Sequence, residues 1–307
     1  MANKAKALFG NHPFTEDGRK SEPIFLDSSN TGKFIYPDFG LDYSDLNNVY
    51  FSSDRLTVCT MDIGPGGFFN PPDYHPGDEA YFVTEGVDSQ FCPATGQMIQ
   101  VGENEALLIP KGVLHSAYNF EEKKLRVIAV IAPKIVEDQL FPTDTNGPKK
   151  LLKGEQNAQL PSIGDFDEPQ RYGSIDDLGA WPAPGPLLRE KGILYHVTEA
   201  RKLKTVHGDT RPILVKFSIS NDFMQVGEYV LPTGGVVCRH SEAITHPSQC
   251  VLVGLDGVMT VYLTSKRETY QLNRYEGLYL PANTEYKLIN YETLNARCLF
   301  AVEGGKF

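Results

Sequence analysis

Three short segments recur about 170 residues apart in the same order, and that duplication restricts the fold more than any other feature. FVTEG (82–86) answers LVGLDG (252–257), ALLIPKG (106–112) answers GLYLPAN (277–283), and VIAVIAP (127–133) answers CLFAVEG (298–304). Each copy is long enough to be a complete domain, so the pattern reads as two tandem domains and not as a solenoid. Within each copy the texture is short β-type runs such as RLTVCTMDI, EAYFVTEG and LRVIAVIAP, broken by GPGG, NPPD and PKG. Short strands with regular turn signals predict an all-β sandwich or barrel.

The organisation expected along the chain is an irregular N-terminal arm over 1–49, a β domain over 50–134, a linker with lead-in strands over 135–204, and a second β domain over 205–307. The linker is rich in Pro and Gly, and the lone tryptophan in it, Trp181, reads as an anchor onto a domain.

The first copy carries a dense stretch, GFFNPPDYHPGDEAYFVTEG, over residues 67–86. It reads Gly67-x5-Asp73-x-His75-x3-Glu79-x6-Gly86, followed by Asn104-x5-Pro110-x-Gly112-x2-His115-x3-Asn119. Residues two apart on a strand share a face, so Asp73 and His75 both project inward, with Glu79 beyond a Pro-Gly bend and His115 on a neighbouring strand. Imidazole with carboxylate suits a divalent first-row metal. Asp78 reads as a solvated turn acid, and Asn104 as a left-handed turn residue.

Those two spacings resemble the two motifs of the cupin superfamily, G-x5-H-x-H-x3,4-E-x6-G and G-x5-P-x-G-x2-H-x3-N. Two identities depart: Asp73 stands where the first histidine belongs, and Asn104 where a glycine belongs. The resemblance covers roughly 50–134 and 205–303 and implies a bicupin, two tandem jelly-roll β-barrels. It further implies one divalent metal per chain on His75, Glu79 and His115, iron first, with manganese, zinc, nickel or cobalt as the other choices. Asp73 is then a fourth ligand, a base beside the metal, or a bystander.

In the second copy, aligning Gly257 with Gly86 places Ile244, His246 and Cys250 on Asp73, His75 and Glu79, and Tyr286 on His115. Only one ligand survives, so a metal-free structural domain is expected there. A rival register, through His240, Glu242 and His246, offers a second metal set.

From this reading the leading expectation is a non-haem Fe(II) dioxygenase acting on a small oxygenated or aromatic organic acid, with Asp73 and Tyr81 as catalytic groups. Phe68, Phe69, Tyr74, Tyr81 and Tyr118 make the surroundings aromatic, which also suits ordinary barrel core. The alternatives are a redox-neutral isomerase, lyase or decarboxylase using Mn, Zn or Ni, and a non-catalytic binding protein.

The net charge of −10, without a basic stripe, argues against nucleic-acid partners. No run reaches the roughly 18 apolar residues of a membrane span. The N-terminus lacks the apolar core of a signal peptide, and the five cysteines are odd in number and have no CxxC pair, which suits a reduced cytoplasmic protein. The expected partners are a small-molecule substrate and, from exposed barrel edges, a second copy in a homodimer.

Overall fold

The structure is a computed structural model, and it describes residues 21–36, 45–69, 72–133, 135, 180–233, 239–305 and 307. Most of the 135–204 stretch and Cys238 lie outside the described residues. The chain divides into two compact units, with described residues 31–133, 135 and 182–201 in the first and 21–30, 180–181 and 202–307 in the second.

The first unit has a seven-stranded sheet in the order β11-β8-β5-β10-β4-β3-β2. Its strands are β2 (Gly32–Tyr36), β3 (Asp45–Ser52), β4 (Thr57–Ile63), β5 (Asp78–Glu85), β8 (Ala106–Ile109), β10 (Leu125–Ala132) and β11 (Tyr195–Val197). A three-stranded sheet, β7-β6-β9, completes it with β6 (Asp88–Cys92), β7 (Gln97–Val101) and β9 (Ser116–Tyr118).

The second unit repeats the plan. Its seven-stranded sheet runs β1-β19-β16-β21-β14-β13-β12, from β1 (Ile24–Leu26), β12 (Leu203–His207), β13 (Ile213–Ser220), β14 (Met224–Leu231), β16 (Cys250–Asp256), β19 (Gly277–Leu280) and β21 (Ala296–Glu303). The four-stranded sheet β15-β20-β17-β18 uses β15 (Arg239–His240), β17 (Met259–Leu263), β18 (Glu268–Leu272) and β20 (Tyr286–Asn290). Both units are all-β, and the only α-helix among the described residues is α1 (Gly185–Lys191).

The stretch expected as an irregular arm holds β1, β2 and most of β3. The reason is edge pairing. Residues Ile24–Leu26 add to β19, and Tyr195–Val197 add to β8, so one edge of each large sheet is covered from within the chain. Central strands are buried on both faces, which is why DEAYFVTE and CVLVGLD read as near-continuous apolar runs. Trp181 is buried and forms a two-way backbone bridge with Ser220.

Turn chemistry follows the sequence closely. Asn104 has φ +64°, and Asn283 (φ +61°) takes in the second unit the place of Gly112 (φ +76°) in the first. Gly77 is fixed by a close approach, because a Cβ there would stand 2.3 Å from the Ala132 carbonyl oxygen. Gly77→Ala therefore forces the start of β5 away from the end of β10, and we expect a loss of about 1–3 kcal/mol, the usual cost of overpacking, in chemical denaturation.

Candidate metal centre

Glu79 is the second residue of β5, paired with Ile109 on one side and Ile131 on the other, in the middle of the large sheet of the first unit. Alternation along β5 puts Tyr81 and Val83 on the same inward face. Asp73 and His115 bridge antiparallel, each amide donating to the other's carbonyl oxygen at 2.9 Å. The Gly112 amide donates to the carbonyl of His75 at 3.0 Å. The two sequence motifs are thus tied together by main-chain hydrogen bonds.

The side chains of His75, Glu79 and His115 converge, with one ligand atom from each lying within 4.8 Å of the others. No other trio of His, Cys, Asp or Glu donors among the described residues does so. His75 Nδ1 faces the Ile135 carbonyl at 2.9 Å and His115 Nδ1 faces the Val113 carbonyl at 3.0 Å. A carbonyl only accepts, so each Nδ1 carries the proton and each Nε2 of the neutral ring presents a lone pair. Those two Nε2 atoms stand 3.4 and 3.0 Å from Oε2 of Glu79. That oxygen is buried and has no hydrogen-bond partner. Three electron-pair donors aimed at one another in a buried site call for a positive charge between them.

In the absence of metal a proton supplies it. Burial alone depresses the basicity of His75, but the Glu79 carboxylate, with Asp73, more than offsets this and raises its pKa to about 10. Burial likewise raises Glu79, yet the two imidazoles outweigh it and hold its pKa at about 2. The sign follows for each group. The raised His75 contributes stability that is complete below its ordinary value near 6.5 and is lost as pH climbs through about 10. The depressed Glu79 contributes stability present above about 4.5 and lost as pH falls through about 2. Metal-free protein is therefore expected to melt several degrees lower at pH 10 than at pH 6, and Glu79→Gln is expected to flatten that slope in thermal scans.

Asp73 is buried, and its Oδ2 is 3.8 Å from His75 Nε2, beside the convergent trio and not one of its members. Its Oδ1 accepts from the Tyr74 amide at 2.6 Å. Burial raises the Asp73 pKa, with His75 and His115 opposing. Tyr81 is buried one inward position along from Glu79, edge-on to the His115 ring at 6.3 Å. Phe69 lies in the core of this unit, while Phe68 and Tyr118 stack on each other at 5.6 Å.

Asp78 is corrected from a solvated turn acid to a fully buried anchor. Its Oδ1 accepts from the Lys111 amide and its Oδ2 from Arg189 of α1, both at 2.8 Å. The partner lies 111 residues away, beyond the reach of local sequence.

The second unit builds something different at the equivalent place. Ile244 and Tyr286 form the bridge that Asp73 and His115 form in the first unit. His246 Nε2, Tyr286 Oη and Tyr229 Oη make a buried triangle with sides of 2.9, 3.2 and 3.2 Å. Burial drops the His246 pKa to about 3, helped by His207, and pushes both phenols well above their ordinary range. Cys250, where Glu79 stands in the first unit, is a buried thiol also pushed up by burial. Phe307 packs edge-on against His246 at 4.6 Å. Tyr229 comes from β14, outside both motifs, and only its strand position relative to the duplication could have signalled it. The rival set is not brought together. Glu242 is turned outward, where Oε1 accepts the amides of Asp209, Thr210 and Arg211, and His240 Nδ1 contacts the Ser241 carbonyl.

Residues 59–131 match the cupin domain family. A stretch of 117 residues is 31% identical to germin-like protein subfamily 2 member 3 of Arabidopsis thaliana, covering 35% of this chain and 53% of that relative. The chain thus spans about half the length of this relative. Among solved structures, AerE from Microcystis aeruginosa superposes with a TM-score of 0.58 at 8% identity, over 91% of this chain and 98% of the other. A variant of Bacillus subtilis oxalate decarboxylase gives 0.58 at 15% identity, over 95% and 80%. At these identities the structural likeness speaks for the fold.

Proposed function

We propose that this chain, a bicupin of the cupin superfamily, is a divalent-metal-dependent enzyme whose metal is held in the first barrel by His75, Glu79 and His115. The observation that carries the reading is the convergence of two imidazole lone pairs on the unpartnered Oε2 of Glu79. A divalent first-row metal bound there supplies Lewis-acid polarisation of a coordinated substrate oxygen. The Ile135 and Val113 carbonyls orient the two rings, and three protein donors leave room for a small oxygen-bearing organic acid. Asp73 lies next to the trio but not in it, 3.8 Å from His75 Nε2, and that distance supports giving it the role of accepting or returning a proton at the bound substrate. Tyr81, on the same inward face as Glu79, is a second proton-bearing group. Apolar core around them keeps bulk water out.

Two protic groups beside the donors favour redox-neutral chemistry, such as decarboxylation, isomerisation or elimination, with Mn, Zn or Ni. The fold shared with an oxalate decarboxylase supports that order. The Fe(II) dioxygenase reading is kept second, because two histidines and one carboxylate are also the set used by non-haem iron oxygenases. Oxygen-electrode traces on iron-loaded and manganese-loaded protein separate the two. Turnover of candidate organic acids without oxygen uptake supports the first reading, and stoichiometric uptake with iron alone overturns it.

No helix among the described residues is long and apolar enough to cross a membrane. The four cysteines among the described residues are buried free thiols, which suits a reducing, cytoplasmic setting. β2 and β12 end their sheets and offer the edges for a homodimer, which light scattering tests.

A further inference from the structure

We infer that the first barrel takes a ligand with a ring-sized apolar body and at most one negative charge, and that Ala129 is the residue that makes room for it. The inference rests on the metal reading above, since the ligand's oxygen end faces the trio.

The duplication supplies the comparison. In the first unit one inward row across the large sheet is Leu107, Tyr81, Ala129, Cys59, Val49. The equivalent row in the second unit is Leu278, Leu252, Phe300, Gly227, Phe217. Phe300 lies over Gly227 so closely that a Cβ on that glycine would meet its ring at 2.5 Å. Phe300 also packs on Phe217 at 5.2 Å, Tyr229 at 4.7 Å and Phe307 at 4.9 Å, and all but Phe307 in that group are fully buried. The second barrel is thus filled by its own aromatic rings.

The first barrel has Ala129 where Phe300 stands. On that row Tyr81, Ala129 and Cys59 keep 5%, 3% and 6% exposure, and Phe69 and Val113 of the same core keep 8% and 6%, whereas Leu252, Phe300 and Phe217 of the second unit's row are at 0%. These residues adjoin Glu79, one inward position along β5. The missing phenyl ring is next to the donor set.

Charge sets the second half of the inference. Lys202 is the only Lys or Arg among the buried described residues, and it belongs to the second unit. Arg126 and Arg189 are engaged by Asp62 and Asp78. Asp62 and Asp78 sit at the outward alternate positions of β4 and β5. Among the described residues, the interior beside the trio therefore offers apolar walls and carboxylates but no Lys or Arg to neutralise a second negative charge.

The test titrates metal-loaded protein with 4-nitrocatechol, a singly charged ring chelator, followed by its visible absorption band, with oxalate as competitor. Metal content is measured first on every sample. In the second unit Phe300 leaves no room for a Cβ on its cross-strand partner Gly227, and Cys59 is the cross-strand partner of Ala129, so the decisive variant is the pair Cys59→Gly with Ala129→Phe, which reproduces Gly227 and Phe300. We expect this variant to keep its metal and to bind 4-nitrocatechol at least about tenfold more weakly than wild type. Oxalate at equal concentration should leave the probe in place. Unchanged probe affinity in the metal-loaded double variant, or displacement by equimolar oxalate, overturns the inference. Wild-type protein that holds no metal overturns the metal reading instead, a separate outcome seen in the metal content alone.

Discussion

Glu79→Gln is expected to weaken divalent-metal binding by more than about 100-fold, beyond the 10–100-fold that outer hydrogen-bond partners typically cost. Glu79 supplies the only anionic atom of the convergent trio, and its Oε2 faces both imidazole Nε2 atoms. Glutamine keeps the shape but offers either a neutral carbonyl or an NH2 group aimed at two lone pairs. The variant should fold, because Glu79 pairs through its backbone with Ile109 and Ile131. Asp73→Asn is the contrasting case. Its carboxylate lies outside the trio, so metal affinity should change by less than about tenfold while turnover falls by about 100-fold or more, the usual worth of a positioned acid or base. If Asp73→Asn loses the metal as completely as Glu79→Gln, Asp73 is a ligand and the proton-transfer role assigned to it is wrong.

The largest stability effect is expected in the second unit. Glu228→Ala should destabilise it by about 3–5 kcal/mol, the range for breaking a buried ion pair from one side. The side chains of Glu228 and Lys202 are fully buried and paired. Glu228 Oε2 also accepts from Arg297 Nε at 3.1 Å, and Arg297 Nη1 reaches Asp256 Oδ2 at 2.7 Å. Removing Glu228 leaves the Lys202 ammonium in the core without its carboxylate. Replacing both, Glu228→Met with Lys202→Met, should recover much of the loss, because well-packed apolar pairs often match a buried ion pair. Denaturant titration gives both values. A loss below about 1 kcal/mol for Glu228→Ala, the surface-pair range, would show that the pair is solvated.

The duplication and the two motif spacings made the all-β architecture readable from sequence, since strand alternation and turn residues are local properties. His75, Glu79 and His115 were readable because strands and short turns alone carry them to one place. The equivalence of Ile244 with Asp73 and of Tyr286 with His115 was readable too, and the matching backbone bridges bear it out. What escaped depends on distant partners. Asp78 looked like a turn acid because Arg189, which neutralises it, belongs to α1. Tyr229 and Phe307, which fill the second barrel beside His246, lie outside any motif. Strand β1 carries too short an apolar run to stand out, and it exists because the edge of β19 needs a partner.

The most direct test is the metal content of wild-type protein, purified without chelators and exchanged into metal-free buffer, read by inductively coupled plasma mass spectrometry. The trio in the first barrel predicts about one divalent first-row metal per chain in wild type and almost none in Glu79→Gln. Folded wild-type protein that carries no such metal, and takes up none at equimolar Mn, Fe, Zn, Ni or Co, would contradict it.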